Sequence, residues 1–355
     1  MQNEPLLQRL TLQGIFYALG SLTIAILGLI YFDGIIKPFF IAIILWYVIK
    51  EIKNLIGKIS VRGKRLPGWW RGFFAMIFIF LFGFGIFELI SINVVQMNKL
   101  APEYREKLDN LVQQVGSYIN DPQIIQYARQ TLTDLDFAGL ITAFVNSLSS
   151  AVADFTVVFV YVIFLLLEET SFTKKVQKLF PGKGRKLYEF DQIIKKIDKA
   201  AGSYVNQMVV ISLITAVISY VALLIMGVDF PILWAFLIFI LNFIPYIGPF
   251  ISSLLPAVLA VFQFGDLLYF VYVFAVLEVI QIILGNFVQP KMMGKSLNIS
   301  ALTVLLTLAF WGSIWGVVGM ILSVPVTAIL IIIMWQIPNT KWLAILLSEN
   351  GELGG

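Results

Sequence analysis

Glu278 is an ionisable residue set deep in a long apolar run of this 355-residue chain. A charge at membrane depth is costly, so an acid found there is by default a functional candidate. Gln281, Gly285 and Gln289 follow it at +3, +7 and +11. At 100° per residue these positions share one helical face. The face continues toward Pro290 and Lys291, and Asn286 points about 80° away from it. Such a polar stripe either lines a solute pathway or serves as a structural hydrogen-bond cluster between helices. Asn242, Ser252 and Ser253 in a neighbouring apolar region are its natural partners. Carboxamides and hydroxyls suit a small neutral polar solute, and the carboxylate suits a proton or a cation.

Other chemistry is excluded by what the chain lacks. It has no cysteine and no histidine, which removes disulfides, thiol chemistry, the usual zinc sites and a histidine proton relay. No nucleophile–base pair, metal-ligand set or phosphate loop is present, so the chain reads as a non-enzyme that needs no cofactor. No ATP-binding motif occurs either. Active movement of a solute would draw on an ion gradient, and otherwise movement is downhill.

The elements that must position these residues are set by the apolar runs. The chain is 59% hydrophobic and 13% charged, with mean hydropathy +0.89. Ordinary soluble domains are about one quarter charged, and a bilayer span needs about 20 apolar residues. The reading is an all-α polytopic membrane protein with about six full spans. Residues 12–32, 39–56, 70–95, 151–167, 204–226 and 267–289 supply them. The first apolar run reads as a span, not a signal peptide.

Two further apolar regions are too long for one span. Residues 230–264 carry no charge, and an unbroken helix of about 35 residues would measure about 50 Å, against roughly 30 Å of hydrocarbon. Pro245, Gly248 and Pro249 split the region into two arms, because an internal proline removes a donor and clashes with the preceding turn. Residues 299–335 repeat the problem, interrupted at Gly312, Gly316, Gly319 and Pro325. Both read as re-entrant hairpins of opposite orientation, an inverted repeat with broken helix ends near the midplane. Irregular backbone is tolerated there only inside protein or along a cavity. The expected tips are 245–249 and 311–319, meeting so that Tyr246 and Trp311 flank the site. A pair of kinked structural helices is the plainer alternative. The spacing of Gly312 and Gly316 permits close helix contact, or simple packing.

Charge sets the orientation. Residues 50–71 hold seven Lys/Arg and one acid, residues 168–200 nine basic residues and five acids, and residues 96–154 four basic residues and seven acids. The positive-inside rule places the first two segments and both termini in the cytoplasm and the third outside. The basic clusters read as membrane-facing surface and not as a nucleic-acid site. Organisation follows as 1–95 for the first three spans, 96–150 for a small outer helical subdomain, and 151–203 for span four and a basic amphipathic segment. Residues 204–340 form the transport core and 341–355 a cytoplasmic tail. Asp121-Pro122 and Asp136 mark helix starts in the outer subdomain. Asp229 and Asp266 read as interface acids without a role. The broad apolar exterior predicts contact with lipid and a homo-oligomer.

The stretch GVDFPILWAFLIFILNFIPYIGPFISSLLP, Gly227 to Pro256, resembles the Asn-x-Ile-Pro-Tyr-Ile-Gly-Pro signature of the AI-2E family of transporters. The stretch VQPKMMGKSLNISALTVLLTLAFWGSIWGVVGMILSVPVTAIL, Val288 to Leu330, resembles the second family signature, a Pro-Lys-x-x-Gly turn and a glycine-rich run ending in Val-Pro. The resemblance implies a bacterial inner-membrane protein that exports autoinducer-2, a small hydroxylated quorum signal. Some members are described as sodium or lithium/proton antiporters, and Glu278 is the candidate site for that. A non-transporting membrane scaffold is a third class. The chain departs from many members in having Leu284 before the Gly-Asn pair, and Asn298-Ile299-Ser300-Ala301 where many carry His-Pro.

Overall fold

The computed structural model describes residues 12–58, 67–118, 155–179, 184–293 and 298–351. Much of the expected outer subdomain, including Asp121-Pro122 and Asp136, lies outside the described residues. The helices are α1 (Leu12–Tyr31), α2 (Asp33–Lys58), α3 (Gly68–Tyr118), α4 (Phe155–Leu179), α5 (Gly184–Met226), α6 (Pro231–Leu241) and α7 (Ile247–Phe264). Then come α8 (Leu268–Ile283), a π-helical turn (Leu284–Val288), α9 (Gln289–Met293), α10 (Ala301–Gln336) and α11 (Lys341–Leu347). Among the described residues, five helices are long and apolar enough to cross a membrane, and the α1–α2 pair makes a sixth if counted as one span. The protein is an all-α polytopic membrane protein.

Three boundaries differ from the expectation. Only Phe32 separates α1 from α2, and the pair bends by 84° instead of folding back as two antiparallel spans. The Phe32 carbonyl accepts from both Ile35 and Ile36, so the bend sits on one residue. The outward boundary near residue 95 falls inside α3, whose 51 residues extend about 76 Å and so exceed any bilayer. The basic amphipathic segment and span five are likewise one helix, the 43-residue α5.

Both broken regions reverse as hairpins. In the first, α6 and α7 are joined at residues 242–246, and Tyr246 takes φ 61°. A positive φ on a bulky non-glycine residue is strained, and here the packed arms hold it. In the second, α10 is broken at Gly316, where φ is 62° and ψ −141°. Trp311 Nε1 donates to Thr327 Oγ1 at 3.2 Å. Sixteen residues of straight helix would hold these groups about 24 Å apart, so the chain turns back at Gly316. Glycines let the arms close. A Cβ on Gly248 would stand 2.7 Å from the Leu241 carbonyl carbon, and one on Gly319 would stand 2.6 Å from that of Trp311.

The core lies around the first hairpin. Trp234, Leu237, Ile238, Ala257, Leu259 and Ala260 pack with Leu223 of α5, Leu277 of α8 and Ile90, Met97 and Tyr104 of α3. A second cluster joins Ala42 and Ile49 of α2 to Ala75 of α3 and Val158 and Val162 of α4. Outward faces are apolar, as in α5, where Leu213, Val217, Val221, Leu224 and Ile225 are exposed. That pattern suits lipid, which solvates such side chains without cost.

Candidate functional site

Helix α8 lies against α7 and carries the two residues with most chemistry. Gln281 is buried and donates from Nε2 to Ser252 Oγ at 3.1 Å. Ser252 and Ser253 are both buried and both donate to the Pro249 carbonyl, at 2.8 and 3.1 Å. Pro249 explains why that carbonyl end of the site is crowded with donors. Its ring presets the helical φ near the start of α7, and the following turn brings Ser252 and Ser253 under it. The Glu278 carboxylate lies beside Ser253. Its Oε1 is buried without a hydrogen-bond partner. Asn242, at the C-terminal end of α6, also has a buried and unpartnered oxygen, Oδ1. Buried oxygens left without donors are rare and call for an explanation. A solute donor or a bound proton would supply one.

The remaining expected residues distribute differently. Pro245 and Tyr246 form the tip of the first hairpin, with Tyr246 59% exposed. Gly248 is buried where the arms touch. Gly285 lies in the π turn with open space around it. Gln289 donates to Met208 Sδ of α5 at 3.6 Å, whereas Gln281 of α8 reaches Ser252 of α7. The reason is the π turn. Its i→i+5 bonding rotates everything after Leu284 relative to a 100° helix, so the single stripe from Glu278 to Gln289 is divided between two neighbours.

Trp311 and Gly312 belong to the closure of the second hairpin. Trp311 is buried with Trp315, Leu322 and Val326 against Leu29, Ile36 and Phe40 of α1 and α2. Trp315 Nε1 also donates to the Leu29 carbonyl at 3.1 Å. Gly312 faces Met320 across the hairpin, and Gly316 is its tip. The two tips were expected to meet. Instead Leu241 and Ile244 at the first tip pack against Leu308, Met320 and Ile321 in the arms of the second. The α1–α2 bend holds the second tip away, because the two tryptophans bury their rings there. Tyr246 is exposed and Trp311 buried, and they fall in separate surroundings.

Several polar groups escaped the sequence reading. On α5, Ser212, Thr215 and Ser219 are buried, with Ser212 Oγ and Ser219 Oγ unpartnered. Nearer its start, the Tyr204 hydroxyl and Gln207 Oε1 are also buried without partners. Their signal was present as hydroxyl residues at three- and four-residue spacing in an apolar helix. Asp229 proves to have a partner, accepting from the Tyr104 hydroxyl at 2.6 Å. Burial first, and then Asp229, hold the Tyr104 phenol well above its ordinary value. Asp266 accepts from the Leu268 amide at 2.9 Å and so caps the start of α8.

Known proteins resemble this chain over most of its length. The family model for AI-2E family transporters matches residues 19–339. A Borreliella burgdorferi protein named for transport is 31% identical over 344 residues, covering 93% of this chain and 88% of its own length. The AI-2 transport protein TqsA of Escherichia coli K12 is 29% identical over 349 residues, covering 96% and 97%. A Haemophilus influenzae protein, also named for transport, is 30% identical over 358 residues, covering 98% and 99%. With its two glycine-closed hairpins and its apolar helices, the chain belongs to the AI-2E family and is a multi-pass membrane transporter.

Proposed function

We propose that this protein is a secondary exporter of a small polar molecule, with an autoinducer-2-like signal as its cargo. The observation that carries the reading is the group formed by Glu278, Ser253, Ser252 and Gln281, with the orphan oxygen of Asn242 on the same hairpin. These groups offer donors and acceptors inside an apolar body and no charged clamp for an anion. A hydroxylated neutral solute is the chemistry they match. The name of the Escherichia coli relative supports the same substrate class. The hairpins enter from opposite faces, with both chain termini on the basic, cytoplasmic side.

Sodium or lithium exchange for protons is the second reading, and the unpartnered Glu278 Oε1 is what favours it. Proteoliposomes separate the two. If a neutral solute is carried, Gln281→Leu lowers autoinducer-2 flux at least tenfold, whereas Glu278→Gln has little effect. If cation exchange is the activity, a pH dye responds to sodium and Glu278→Gln abolishes that response. Normal flux of both solutes in both variants removes this group from the mechanism.

A further inference from the structure

Helix α5 runs unbroken for 43 residues, and ties to the N-terminal helices lie within its first half and just past its C-terminal end. In its first half Lys50 Nζ of α2 stands 2.9 Å from both carboxylate oxygens of Asp198. The same ammonium lies 4.9 Å from the centre of the Trp46 ring. Tyr47 sits beside Asp198, and a Cβ added to Gly202 would stand 3.1 Å from its ring, so α2 and α5 pack closely there. At the other end α5 passes through Gly227 into Asp229, which accepts from Tyr104 of α3 at 2.6 Å. Gln263, at the far root of the same hairpin, ties in three times, first by donating from Nε2 to the Gly227 carbonyl at 2.8 Å. Its Oε1 accepts from the Asp229 amide at 2.8 Å, and its carbonyl accepts from Lys107 at 2.9 Å. From Asp198 to the end of α5 at Met226 is about 42 Å, close to the thickness of a bilayer with its headgroups.

Each tie borders a cluster on which the first hairpin packs. Tyr47 packs on the cluster of Tyr204, Val205 and Met208, and Phe243 at the first hairpin tip packs on the same cluster. Tyr104 packs on the cluster holding Val228, Phe230 and Leu277. Both ties are made at once, so the chain around the first hairpin is held against the N-terminal helices on both sides. A carrier that exposes its site to one face at a time must release one tie while the other holds. The Lys50–Asp198 pair is only partly buried, 31% and 43% exposed, and ion pairs of that kind are weak enough to break and re-form.

We propose that Lys50–Asp198 and Tyr104–Asp229 are opposed gates on either side of the apolar part of α5, opened alternately as α5 and the first hairpin tilt against α2 and α3. The proposal rests on the transport reading, but its test needs no substrate. The chain has no native cysteine, so single reporters are clean. Val205→Cys and Val228→Cys, at 2% and 3% exposure, lie behind the two ties. Each is reacted with a membrane-impermeant maleimide in vesicles of both orientations. Lys50→Gln is expected to raise Val205→Cys labelling at least tenfold from the Lys50 face and to leave Val228→Cys unchanged. The exchange Lys50→Asp with Asp198→Lys restores slow labelling. Tyr104→Phe raises Val228→Cys labelling from the opposite face alone. Unchanged labelling in Lys50→Gln or Tyr104→Phe overturns the gates. So does a rise at both reporters in one variant, or an exchange variant that labels as fast as Lys50→Gln. Absence of autoinducer-2 flux in the parent would refute the cargo and leave these labelling results to stand or fall alone.

Discussion

Gly248→Ala tests the hairpin at its tightest point. The added Cβ would stand 2.7 Å from the Leu241 carbonyl carbon and 3.2 Å from Ile244 Cβ. Non-bonded carbons prefer about 3.5–4.0 Å, so the arms must part by about 1 Å. The obstacle is backbone, and it cannot swing aside as a side chain would. The same Leu241 carbonyl accepts from the Ile244 amide at 2.8 Å, so parting the arms also disturbs the tip turn. Overpacking of this kind costs about 1–3 kcal/mol. At roughly 2–4 °C per kcal/mol for larger domains, the unfolding midpoint should fall by about 2–12 °C. Gly285→Ala is the control, because nothing lies within 4 Å of its added Cβ. Thermal unfolding in detergent, read by intrinsic fluorescence, measures both. A Gly248→Ala midpoint within about 1 °C of Gly285→Ala would refute the close contact of the arms, and with it the hairpin packing.

Trp311→Phe removes the donor to Thr327 and should cost about 0.6–1.7 kcal/mol, the range for interhelical hydrogen bonds in membranes. Adding Thr327→Val should cost nothing further, and strict additivity of the two in thermal unfolding would show that they do not interact. Tyr104 faces Asp229, with Glu103 and Lys107 beside it. Its folded pKa is raised, so the native state keeps the phenol proton after the unfolded chain begins to lose it. The stabilisation is therefore full below about pH 10 and declines as pH rises beyond it. A phenolate absorbance titration of Tyr104→Phe against the parent should show one fewer late-ionising tyrosine.

The membrane environment, the all-helical class and both hairpins were legible in the sequence, because they follow from local quantities. Run length against bilayer thickness shows that residues 230–264 and 299–335 cannot each be one span. Proline and glycine then mark where they break, and Gly316 and the 242–246 turn lie within or beside the expected tips. Glu278, Ser252 and Gln281 were legible for a similar reason, since polar side chains in an apolar run are conspicuous. Tertiary structure decided what pairs with what. The π turn redirects Gln289 from α7 to Met208, a change of helical phase that a fixed 100° step does not contain. Trp311 and Trp315 dock on the α1–α2 bend, and so the second tip stays away from the first. Asp229 reads as an idle interface acid until α3, continuing past the bilayer, brings Tyr104 to it across 125 positions of chain. Periodicity reports which face of a helix is apolar, but contacts between distant segments depend on how whole helices lean on one another, and no local pattern carries that.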